Sequence, residues 1–199
     1  MTITYEYGQN LYVNTTNKCD MHCDFCLRRD GDGIGNADSL WLEREPTREE
    51  ILADIEKREL SKYAELVFCG YGEPTYRLDD ILWVCDEVKR KYPGMRIRMD
   101  TNGHGDLICG RRVAPLFAGR FDTVSISLNA RDKETYDSRC VPDYGESYVS
   151  MKIFAKEVQK YVPRVVMSVV DCIPKDEIED CRKVCEEIGA IFRVRAYGS

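Results

Sequence analysis

Hydrophobic and polar positions along the chain switch between a period of two and a period near 3.6, marking strands and amphipathic helices in turn. Residues 2–16 alternate and break once, at Gly8-Gln9-Asn10. This predicts a β-hairpin arm whose second strand, around Leu11-Tyr12-Val13, opens the main sheet. Pro46, with Thr47 and Glu50 spaced as a capping box, starts a helix that runs to about Lys62. Strands are then predicted at 65–70, 95–101, 122–128, 164–171 and 190–197, and helices at 78–91, 112–118, 147–161 and 175–189. Strands alternating with helices through short connections imply parallel pairing with right-handed crossovers, in an α/β fold. Six such strands are too few for a closed eightfold barrel. No repeat, low-complexity tract or linker divides the chain, which reads as a single domain over 1–199.

Within the strands the alternation also assigns faces. Val124, Ile126 and Leu128 share one side, and Thr123, Ser125, Ser127 and Asn129 the other. Parallel strands covered by helices are normally apolar on both faces, so a polar face predicts a chamber. Arg96, Arg98 and Asp100 alternate in the same way, as do Arg193 and Arg195 in the last strand. An exposed edge strand is the plainer reading for that last pair.

Charge adds exclusions. The formal net charge of −6 lacks the basic surplus of a sequence-independent nucleic-acid binder. No apolar run is long enough for a membrane span, and the N-terminus lacks a secretory signal pattern, so the expected compartment is the reducing cytoplasm. Ten cysteines in such a compartment favour metal binding or buried thiols over disulfides.

Three of them, Cys19, Cys23 and Cys26, stand in a C-x3-C-x2-C loop directly after the first sheet strand. A structural zinc site usually closes with four ligands, whereas an iron–sulfur cube accepts three thiolates and leaves one iron open to a small molecule. A zinc knuckle or reduced core cysteines are the plainer alternatives. Cys85, Cys181 and Cys185 lie on helical apolar stripes and read as core, with a second cluster from Cys172, Cys181 and Cys185 as the alternative. Cys140 stands in the polar run Arg139-Cys140-Val141-Pro142 after the fourth sheet strand, where an inert or buried thiol is the plainer reading and a catalytic thiol that donates hydrogen to a substrate the alternative. The Gly/Asp-rich stretch 29–45 carries Trp41 where a calcium loop needs glutamate, so it reads as a plain loop or a flexible lid.

Ligands of parallel α/β folds bind at the carboxyl ends of the strands. There the chain places Gly70-Tyr71-Gly72-Glu73-Pro74, then Asp100-Thr101-Asn102-Gly103, then Ser127-Leu128-Asn129. With the cysteine loop and its aromatic Phe25, these motifs resemble those of the radical S-adenosylmethionine (SAM) superfamily. The runs LYVNTTNKC, CDFCLRR and SLNARDKETYDSRC are most similar to its small TatD-associated members.

The resemblance implies a (β/α)6 partial TIM-type barrel preceded by the hairpin arm, with a 4Fe–4S cluster on Cys19, Cys23 and Cys26. It implies SAM contacts from Phe25, Gly72, Glu73, Pro74, Asp100, Thr101, Asn102, Ser127 and Asn129. Reductive cleavage of SAM would give methionine and a 5′-deoxyadenosyl radical that abstracts hydrogen from a small substrate, an anionic one if the arginines face the chamber. An electron donor such as flavodoxin or ferredoxin and an anaerobic setting are implied as well. The alternatives are an activase installing a glycyl radical on a partner protein and a non-catalytic iron–sulfur module.

Overall fold

In the computed structural model, which describes residues 1–197, seven strands hydrogen-bond in chain order into one sheet. β1 (Thr4–Tyr7) and β2 (Asn10–Val13) form the predicted antiparallel hairpin, with Tyr7 opposite Asn10 and Gly8 at φ +59° in the turn. Glycine adopts that left-handed conformation without steric cost. Every later pairing is parallel, through β3 (Leu66–Phe68), β4 (Ile97–Thr101), β5 (Thr123–Ser127), β6 (Arg164–Val170) and β7 (Ile191–Arg195). β1 and β7 do not pair with each other, so six parallel strands make a partial barrel that stays open, with the hairpin arm at one edge.

Alternation in these strands separates core from chamber. Leu11, Leu66, Phe68, Ile97, Met99, Val124, Ile126, Met167 and Val169 are fully buried under the helices. Each such side chain contributes about 2 kcal/mol relative to exposure. The helices supplying the other half of that core are α1 (Arg48–Glu56), α2 (Leu78–Lys91), α3 (Gly105–Cys109), α4 (Lys133–Cys140), α5 (Ser147–Val158) and α6 (Lys175–Ile188). Cys85, Cys181 and Cys185 lie in it, as their stripes predicted.

Both halves of the capping box form at the start of α1. Thr47 Oγ1 accepts from Glu50 N at 3.2 Å, and the Glu50 carboxylate accepts from Thr47 N at 2.8 Å. α1 stops short of Lys62, and Leu60–Lys62 forms a separate 3-10 turn. The helix expected at 112–118 is only a 3-10 turn, Ala114–Phe117, preceded by α3. Gly110 at φ +63° ends α3 after little more than one turn. α4 was not anticipated: it buries only Tyr136 and Cys140, and its start is capped by Asp132 Oδ1 accepting from Thr135 N at 2.8 Å.

Candidate active site

The cysteine loop leaves β2 and is clamped from two sides. Arg28 reaches back to Cys26 Sγ at 3.3 Å and donates to the Met21 carbonyl at 3.3 Å. From the other side, His22 N and Asp24 N donate to the carbonyls of Cys140 (3.0 Å) and Arg139 (3.1 Å) at the end of α4. Met21 also forms a β-bridge with Pro142. The chain can turn there because Val141 takes φ +43°, a strained conformation for a β-branched residue. Such strain persists where surrounding structure enforces it, commonly at a functional site.

The turn after β3 packs against the same loop. A Cβ on Gly72 would stand 2.3 Å from the Thr16 carbonyl oxygen and 2.6 Å from that of Lys18, so only glycine fits. Glu73 N then donates to Lys18 O at 2.8 Å, one residue before the first cysteine. The Glu73 carboxylate is buried and accepts from Thr75 N, Thr75 Oγ1, Thr101 Oγ1 and Asn102 N at 2.7–3.1 Å. Burial still pushes its pKa up, against those four donors. Its side chain therefore locks the β3 turn to the end of β4, and the Thr101 hydroxyl is engaged in the same lock.

A second buried network was not legible beforehand. The Asp20 carboxylate lies 2.6 Å from His104 Nδ1 and accepts from Asn102 Nδ2 at 2.7 Å, and the Tyr136 hydroxyl lies 2.9 Å from His104 Nε2. Asp20, His104 and Tyr136 are wholly buried. An Nδ1–H donating to Asp20 leaves Nε2 to accept from Tyr136, so each group is satisfied. The chain thus ties the cysteine loop to β4 and α4. The one sequence signal was a histidine directly after the Asp100-Thr101-Asn102-Gly103 motif.

All of this surrounds one cavity of about 310 Å³ at the carboxyl ends of the strands. Cys19, Cys23 and Cys26 line it, with Phe25 beside them. So do Gly72, Glu73 and Pro74, then Asp100, Thr101 and Asn102, then Ser127 and Asn129. Asn129 sits at φ +58° with a buried Oδ1 that finds no hydrogen-bond partner in the protein. A strained residue with an unsatisfied buried acceptor at a cavity wall points to a ligand. Burial raises the Asp100 pKa, against the lowering influence of Arg98, Arg195 and Arg193.

Cys140 takes the plainer of its two sequence readings, a buried thiol. It ends α4 rather than sitting in a polar loop, is fully buried, and does not line the cavity. Its thiol packs against Cys23, and that hydrogen bond, with burial, raises the Cys23 pKa. A donor role toward substrate therefore has no path. The 29–45 loop is likewise anchored, by Asn14 Nδ2 donating to Leu40 O at 2.7 Å and Tyr71 Oη to Gly31 O at 2.7 Å.

Three thiols on one cavity wall suit a 4Fe–4S cube, which takes three protein thiolates and leaves one iron open to a small molecule. Burial pushes the Cys19 thiol up to about 12, and coordination reverses that preference by taking the thiolate.

A family model described as the Radical SAM superfamily matches residues 13–188. The GTP 3′,8-cyclase of Paenarthrobacter nicotinovorans is 29% identical over 133 residues, 65% of this chain and 35% of the cyclase. The 5-amino-6-(D-ribitylamino)uracil–L-tyrosine 4-hydroxyphenyl transferase of Nostoc sp. is 29% identical over 101 residues, 48% of this chain and 24% of that enzyme. The chain therefore spans only about a third or less of the length of these curated relatives. Among solved structures, Streptococcus suis SuiB bound to the precursor peptide SuiA aligns with a TM-score of 0.71 at 18% identity, covering 96% of this chain and 40% of SuiB. A radical SAM methyltransferase from Sphaerobacter thermophilus aligns at 0.67 and 16% identity, covering 97% and 57%. At such identities these two carry the fold alone. With the family match over most of its length and the motifs gathered at one cavity, the chain belongs to the radical SAM superfamily, whose members use a 4Fe–4S cluster and SAM.

Proposed function

We propose that this protein cleaves SAM reductively and uses the resulting radical to remove hydrogen from a small molecule held in the chamber. The carrying observation is that the three loop cysteines and all three strand-end motifs line one cavity. In this reading Cys19, Cys23 and Cys26 hold the cluster, which when bound supplies the electron that breaks the sulfonium C–S bond. Gly72 and the backbone of the β3 turn receive the amino-acid end of SAM, and Glu73 orients that turn through its bonds to Thr101 and Asn102. Phe25 walls the adenine, Pro74 stiffens the turn, and Asp100, Asn102, Ser127 and Asn129 present polar groups to the rest of the molecule. A low-potential donor such as flavodoxin or ferredoxin supplies electrons, in a reducing compartment such as the cytoplasm. Among the described residues no helix is long and apolar enough to cross a membrane.

One observation favours a second reading, an activase that installs a glycyl radical on a protein. The open edge strand β7 exposes Ile191 and Val194, which a partner polypeptide would cover. Turnover that requires such a partner, with an EPR doublet from its glycine, would favour this reading.

The primary reading is tested by EPR of the dithionite-reduced, reconstituted protein. SAM is expected to change the cluster signal in the native protein and much less in Asn129→Ala. A cluster signal that SAM never alters would contradict the assignment of this cavity.

A further inference from the structure

The chamber extends below the candidate SAM site. A second cavity of about 330 Å³ shares Tyr12, Arg98, Ser125 and Arg193 with the first, so the two join through the inner face of the sheet. Strand register stacks these side chains: Arg98 is level with Thr123, Asp100 with Ser125, and Ser168 with Arg193. The walls away from the cysteine loop carry Arg98, Arg164, Arg193 and Arg195 against only Glu65 and Asp100. In a chain of net charge −6 that is a local reversal of sign, and a cleft lined by one sign concentrates the opposite one.

The arginines are not all committed to partners. Arg98 is 8% exposed; it pairs with the Glu65 and Asp100 carboxylates at 3.4 Å and donates from Nη2 to the Tyr12 hydroxyl at 3.1 Å, while its buried Nε makes no hydrogen bond. Asp100 Oδ1, also buried, has no hydrogen bond either. The Arg193 side chain makes no hydrogen bond or ion pair among the described residues, while Arg195 Nε is steadied by Ser168 Oγ at 3.2 Å. One unsatisfied buried donor, Arg98 Nε, and the Arg193 and Arg195 guanidinium groups on the same wall outnumber the Asp100 carboxylate they surround, which leaves donors for an oxyanion.

We infer that the substrate is a small molecule carrying a carboxylate or phosphate group, seated by Arg98, Arg193 and Arg195 over Ser125 and Ser168. This rests on the function proposed above and adds the substrate class. Arg98 and Arg193 line both cavities and Arg195 lines the first, so the anionic group sits where the two cavities join.

The test titrates reconstituted, SAM-saturated protein calorimetrically with inorganic phosphate, with glutarate, and with glycerol as a neutral probe. At least one anion is expected to bind saturably and glycerol not to bind. Arg193→Gln or Arg195→Gln should weaken that binding at least tenfold, whereas Arg90→Gln, on the outer surface of α2, should not. Phosphate alone, or glutarate alone, assigns the group. Absence of saturable anion binding in protein that holds cluster and SAM overturns this inference and spares the reading above. So does binding that Arg193→Gln and Arg195→Gln both leave unchanged. Failure to hold cluster or SAM overturns both.

Discussion

Val141 and His104 show how single residues hold the cysteine loop. Val141 bends the chain at φ +43° so that the carbonyls before it meet His22 N and Asp24 N. The left-handed conformation costs a β-branched residue about 1–2 kcal/mol, which glycine avoids. Val141→Gly is therefore expected to raise stability by about 1 kcal/mol in urea denaturation while leaving the loop's bonds in place. His104 is the opposite case. Removing it leaves the buried Asp20 carboxylate with Asn102 as its remaining side-chain donor and strips Tyr136 of its nitrogen acceptor. His104→Ala should cost about 3 kcal/mol and hasten loss of cluster absorbance under a chelator. Neither role shows in a periodicity, because Asp20 and His104 lie 84 residues apart in sequence. Glu73 shows a related limit. The motif resemblance marks the residue, but only the structure shows its carboxylate filled by Thr75, Thr101 and Asn102.

At the scale of elements, α1 and the hairpin form one unit. Asp54 accepts from Thr4 N at 3.1 Å and Thr4 Oγ1 at 2.7 Å, and Arg58 Nε donates to Thr4 Oγ1 at 3.2 Å. Burial opposes ionisation of Asp54, but Thr4 and Lys57 outweigh it and hold its pKa below the usual carboxylate value. A carboxyl whose folded pKa is depressed stabilises the fold above its unfolded pKa of about 4, and that contribution disappears as pH falls through the folded value. Asp54→Asn should therefore be less stable than the native chain at neutral pH, with the two denaturation midpoints converging in acid. The longer helices were legible because their apolar stripes repeat over several turns. α4 was not, since its buried stripe is a single pair, Tyr136 and Cys140. That missing helix is why Cys140 was placed in a loop, which kept a donor role open beside the buried thiol that the structure shows next to Cys23.

Across the whole molecule, the two faces of the sheet divide the work. The outer face is an apolar core under six helices, and the inner face carries Arg98, Asp100, Ser125, Ser127 and Ser168 around the chamber. This division was legible in the sequence, since Val124-Ser125-Ile126-Ser127 encodes both faces in one strand. The strand-end motifs likewise come together at one end of the sheet, around the candidate cavity. What sequence patterns left open was how the motifs touch, through Glu73, Asp20 and the α4 carbonyls, because those contacts join distant segments. The central claim is that this cavity supports SAM radical chemistry. Its most direct test is anaerobic reconstitution with iron and sulfide, reduction with dithionite, and assay of 5′-deoxyadenosine and methionine formed from SAM. The account predicts 5′-deoxyadenosine from the native chain and a loss to background in Cys23→Ala. A protein that takes up zinc and forms no cluster, or product formation unchanged by Cys23→Ala, would contradict it.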